Sequence, residues 1–158
     1  MMSDKDIEEY HNIGKSIKFK SKYDYHTGKQ INDNGSRIYD INGYRLPSVT
    51  TILGATKDKS FLTKWKARVG EAEAERIKNH SSSRGTAMHK FLEHYILGTG
   101  YDDLTRIGQE AKPMAEKVIE VGLAPVKEYY GSEVMLHYPG LYAGSTDLVC
   151  LHDGVETI

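Results

Sequence analysis

The chain reads as an α/β protein: an N-terminal β-hairpin, then helices, then a mixed central sheet flanked by helices. Three observations carry that reading. Asn42-Gly43 separates two short runs of strand-forming residues, the strongest local signal for a two-residue hairpin turn. Between residues 60 and 121 apolar side chains recur at helical spacing. The run Tyr142 to His152 is apolar on both faces toward its end, with Leu148 and Cys150 on one side and Val149 and Leu151 on the other. Two-sided burial is the mark of a central strand covered by helices.

The elements follow in order. Residues 1–14 form a short polar, flexible lead-in, and residues 15–158 a single domain. Residues 17–25 alternate apolar and polar, as a half-exposed strand does. His26 to Ser36 is rich in Gly, Asn and Asp and reads as a turn or loop. Arg37–Ile41 and Tyr44–Leu46 pair across Asn42-Gly43. Pro47 ends the strand, and Ser48 caps a short helical turn. Ser60 caps a helix from Phe61 to Lys78, with Leu62, Trp65 and Val69 on one stripe, so Trp65 reads as core. Ser81–Ser83 cap a second helix, whose apolar positions are Met88, Leu92 and Ile96 and whose end is Gly98. A third helix spans 104–121, with Pro113 as a break or kink. Residues 132–138 and 142–152 are strands joined by Pro139-Gly140. Asp153-Gly154 turns the chain into a third strand, Val155 to Ile158.

Totals narrow the function classes. The 158 residues suffice for one domain with a core, and 39% hydrophobic with 27% charged excludes wholesale disorder. No apolar run approaches the roughly 20 residues of a membrane span, and the acidic start from Met1 to Tyr10 is no signal peptide. The single cysteine, Cys150, excludes an internal disulfide framework and suits a reducing compartment, the cytoplasm. Net charge is −1, but Lys15 to Arg68 holds 12 Lys and Arg against 4 Asp and Glu, and the remainder 9 against 18. That asymmetry fits a basic surface for phosphates beside an acidic centre for cations; it fits a plain solvated basic face equally well.

A few residues stand out chemically. If a helix starts at Ser81–Ser83, then Arg84, Gly85 and Thr86 occupy its first turn, where free N–H groups and the helix dipole attract phosphate. His89 and Glu93 lie four apart, on one face. His89 suits a metal, or a hydrogen-bonded place in the core beside Leu92 and Ile96. Asp147 sits in an otherwise apolar strand, where burying a carboxylate is costly unless it is paired or bound to a cation; a strand-end Asp bonding backbone N–H groups is the equal alternative. Gly144 before it removes a side chain where a backbone or ligand would approach. His94 and His137 lack zinc-ligand spacing, and one cysteine excludes a cysteine-rich zinc site.

Together these motifs resemble the RecB-like branch of the PD-(D/E)XK nuclease superfamily, in particular phage exonucleases related to mitochondrial genome maintenance exonuclease. The resemblance spans about residues 44–158. It rests on Leu46-Pro-Ser-Val-Thr-Thr-Ile-Leu53, Phe61-Leu-Thr-Lys-Trp65 with Gly70 to Ile77, Arg84-Gly-Thr-Ala-Met-His89 with Glu93, and Tyr142-Ala-Gly-Ser-Thr-Asp147. It implies a restriction-endonuclease-like core and a Mg2+- or Mn2+-dependent DNA exonuclease of phage-type replication or recombination, working in the host cytoplasm if phage-encoded. His89 and Asp147 would be the catalytic metal ligands, with Glu93 an accessory. Arg84, Gly85 and Thr86 would hold a phosphate. Lys64 and Lys66, with Lys57 and Lys59, would line a path for single-stranded DNA, over which the 60–78 helix arches. The family's Asp/Glu-x-Lys motif is not completed by Val155-Glu-Thr-Ile158. The implied core is thus incomplete at its C-terminal side, the missing pair is expected just beyond Ile158, and the 158-residue chain is expected to be inactive alone. Two alternatives compete: a non-catalytic module of the same fold that grips single-stranded nucleic acid, and a different metalloenzyme built on His89 and Glu93.

Overall fold

A computed structural model describes residues 17–158, so the 1–14 lead-in lies outside the described residues. The fold is mixed α/β. A three-stranded antiparallel meander, β2 (Gly28–Asp33), β3 (Ser36–Ile41) and β4 (Tyr44–Pro47), precedes four helices. These are α1 (Val49–Thr56), α2 (Ser60–Val69), α3 (Glu71–Leu97) and α4 (Arg106–Lys117), the last running into a π turn, Val118–Gly122. A second sheet has the order β1-β5-β6-β7, from β1 (Lys18–Phe19), β5 (Val126–Tyr138), β6 (Tyr142–His152) and β7 (Val155–Thr157). β1 runs parallel to β5 and the other pairs are antiparallel, so this sheet is mixed. No helix among the described residues is long and apolar enough to cross a membrane.

The Asn42-Gly43 hairpin forms as expected. The expected loop at 26–36 does not: it is the strand β2 plus a second Asn-Gly turn. Asn34, Gly35, Asn42 and Gly43 all have positive φ, the backbone that tight hairpins demand and that Asn and Gly tolerate best. Conversely, the strand expected over 17–25 shrinks to Lys18–Phe19. Its later part packs by rings instead, with Tyr23 edge-on to Tyr130.

The helices depart from expectation at two joints. Phe61–Lys78 is not one helix, because Gly70 at φ 90° separates α2 from α3. Ser60 is not the cap: it is the first helical residue, and Asp58 accepts its N–H at 2.8 Å and its hydroxyl at 2.9 Å. α2 buries no residue, so Trp65 is half-buried rather than core. Ser81–Ser83 do not start a helix either. They lie in the middle of the 27-residue α3, about 40 Å long at 1.5 Å per residue. Tertiary packing overrides their weak propensity. Ala87 and Phe91 of α3 pack with Ala111 and Ala115 of α4, and His80 Nε2 meets Glu110 at 2.7 Å alongside. α4 passes through Pro113 and stays helical to Lys117. Ser48 does cap α1, accepting the Thr51 N–H at 3.0 Å.

Two further clusters complete the core. Tyr95 and Ile96 of α3 meet Val126 and Cys150 of the mixed sheet. Tyr39, Ile41 and Leu46 of the meander cover Ala143. β6 lies between β5 and β7, and its Val149 and Cys150 are both buried, as the two-sided pattern requires.

Candidate metal centre

The site lies where the middle of α3 faces the β5–β6 hairpin. β6 presents Asp147 and α3 presents His89, and His89 Nδ1 stands 3.3 Å from Asp147 Oδ1. A third side chain joins them. His89, Glu133 and Asp147 each bring one ligand atom to within 4.8 Å of the others. All three are exposed, which corrects the expectation of a buried Asp147 inside an apolar strand.

Glu133 arrives by hairpin geometry. Ser132 pairs with Leu148 and Val134 with Thr146, which puts Glu133 opposite Asp147. Its φ of 52° is unusual for a glutamate and breaks the regular pairing there. Although the residue is exposed overall, partial desolvation of the carboxyl pushes Glu133 above its ordinary value; the negative charges of Asp147 and then Glu93 and a hydrogen bond with Asp147 add to this, and His89 opposes it. Crowded carboxylates of this kind favour either a proton or a cation between them.

The cleft around the cluster has a volume of about 470 Å³, and Gly85, Thr86, Glu93 and Lys90 line it. The structure brings Gly85, Thr86 and Glu93 beside the cluster, but Gly85 and Thr86 are not in the first turn of a helix as expected. Both sit in the interior of α3, where backbone N–H groups are already committed to the helix ladder. They offer a helix surface, not a free helix end. Arg84 is half-buried on α3, outside the cleft wall. Lys64 and Lys66 lie on α2, also outside it, and Lys66 pairs with Glu71 at 3.1 Å.

The donor set of one imidazole and two carboxylates suits a hard-to-borderline divalent cation. Ligands at about 2.1 Å around an octahedral ion stand about 3 Å apart when adjacent and about 4.2 Å when opposite. The three ligand atoms lie within 4.8 Å of one another, with His89 Nδ1 and Asp147 Oδ1 at 3.3 Å, close to that range. Comparison with protein-family models, with curated proteins and with solved structures finds no match to the chain.

Proposed function

We propose that this protein is a Mg2+- or Mn2+-dependent deoxyribonuclease, an exonuclease acting on single-stranded DNA or DNA ends. One observation carries the reading: His89 and Asp147, 58 positions apart in the chain, stand 3.3 Å apart with Glu133 beside them. In this reading the three side chains hold the cation. A bound divalent ion would supply an activated water and offset charge developing on the scissile phosphate. The side-chain-free surface of Gly85 on the cleft wall lets a phosphodiester backbone come close to α3. The register of β7 supports the same reading. Thr157 faces Cys150 and Glu156 faces Leu151, so β7 runs antiparallel beside the strand that carries Asp147.

Metal binding is the direct test, because it depends on His89, Glu133 and Asp147 and not on the lysine. Calorimetric titration of the 158-residue chain with Mn2+ is expected to show binding that weakens at least tenfold in Asp147→Asn and in His89→Ala, with the circular dichroism unchanged. Binding that ignores both substitutions, or no binding, overturns the proposal. Glu93→Ala is expected to matter less than Asp147→Asn; the reverse order would point to the His89–Glu93 metalloenzyme instead.

A further inference from the structure

A second cavity, of about 460 Å³, opens between the tip of the β5–β6 hairpin and the start of α1. Its volume lies in the range of small-ligand sites. Its walls include Arg37, Tyr138, Tyr142, Ser145 and Thr146, and among the described residues no carboxylate lines it. Tyr138 and Tyr142 are cross-strand partners, with ring centroids 5.7 Å apart and planes 30° apart. They are 56% and 39% exposed, so their rings remain open to another flat group. Arg37 is exposed, and among the described residues no carboxylate forms an ion pair with its guanidinium. Gly144 also lines the cavity; a Cβ there would meet Val49 only at an ordinary 3.6 Å. Packing does not demand a glycine, but its absence of side chain keeps the wall low.

We infer that this cavity is a nucleotide subsite for single-stranded DNA, an inference that takes the identity of the strand from the nuclease reading. A base stacks on the Tyr138–Tyr142 pair, which is sequence-tolerant because every base has a π-face. Arg37 takes a backbone phosphate, and the Ser145 and Thr146 hydroxyls donate to sugar or phosphate oxygens. The same strand, β6, carries both the tyrosine and the metal ligand. Tyr142 and Asp147 are five residues apart, or about 17 Å at about 3.4 Å per residue. Because that spacing is odd and the β5–β6 register is unshifted there, the two side chains leave β6 on opposite faces, so the subsite grips the strand at a place separate from the metal cluster.

The test measures binding of a fluorescein-labelled oligothymidylate by anisotropy, in EDTA and low salt, alongside Mn2+ titration of the same samples. Tyr142→Ala and Tyr138→Ala are each expected to weaken the oligonucleotide roughly fivefold or more, while Tyr142→Phe retains it. Arg37→Ala is expected to weaken it and to lower the slope of log affinity against log salt by about one. All four should leave Mn2+ affinity unchanged. In the unsubstituted protein, an oligonucleotide carrying 5-iododeoxyuridine should photocrosslink to Tyr138 or Tyr142. No binding by the unsubstituted protein, or unchanged binding in the alanine variants with crosslinks elsewhere, overturns the subsite. Failure of Mn2+ binding with the tyrosine effect intact sinks the nuclease reading and leaves the subsite standing; the converse pattern does the opposite.

Discussion

Replacing Glu133 by Gln should stabilise the metal-free protein and destroy its response to metal. The Glu133 and Asp147 ligand atoms lie no more than 4.8 Å apart. Two like charges at that distance repel by about 1 kcal/mol in a water-like dielectric, the appropriate limit because the Asp147 side chain is 64% exposed. For a chain of this size that corresponds to a rise in Tm of about 2–4 °C. The sign follows from the raised Glu133 carboxyl. Below the ordinary value of 4.5 the group is protonated whether folded or unfolded, and the substitution changes little. As pH rises through the raised folded value, ionisation costs the folded state more than the unfolded one, so the gain from Gln appears and persists at pH 8. About 1 M salt, with a Debye length near 3 Å, should remove most of it. Calorimetric melts at pH 8 in EDTA, and again with Mn2+, check this. With Mn2+ at about 100 times its dissociation constant the unsubstituted protein gains about 2.7 kcal/mol and overtakes the variant. A variant that melts below the parent in EDTA, or gains as much from Mn2+, refutes the account.

The other predictions concern the frame around the site. Phe91, 1% exposed and edge-on to Tyr101 at 5.0 Å, should cost about 3–5 kcal/mol as Phe91→Ala in urea unfolding. The same change at two glycines should have opposite signs. Gly85→Ala, with nothing within 4 Å of the new Cβ, should stabilise by up to about 1 kcal/mol. Gly108→Ala would put its Cβ 2.3 Å from the Asp103 carbonyl oxygen and should lower Tm despite the better helix propensity. Burial raises the Cys150 thiol pKa, so an aromatic disulfide reagent at pH 8 should modify it far more slowly in the native protein than in urea.

The sequence made some features readable and hid others for identifiable reasons. The turns at Asn42-Gly43, Pro139-Gly140 and Asp153-Gly154 were legible because tight turns need particular residues, and β6 was legible through its apolar run. β2 was not: Gly28-Lys-Gln-Ile-Asn-Asp33 offers one apolar side chain, and the strand is largely exposed, so no alternation marks it. Ser81–Ser83 misled because a local cap signal says nothing about α4 packing alongside. His89 and Asp147 were singled out from their helix and strand settings and from the resemblance, and the structure brings the two side chains together. Glu133 was missed although a signal existed. Once the hairpin turns at Pro139-Gly140, with Tyr138 facing Tyr142, counting back from Asp147 lands on Glu133. Its positive φ had no signature in residue types.

α3 rests on two footings. Ala87 and Phe91 seat it against α4, and Tyr95 and Ile96 seat it against the mixed sheet. His89 lies within the first footing, between Ala87 and Phe91, on the exposed side of the helix. The imidazole is therefore placed as a beam is levelled, by the seating of the helix as well as by Asp147 across from it. Substitutions remote from the cleft, at Ala111 or Val126, become adjustments of aim.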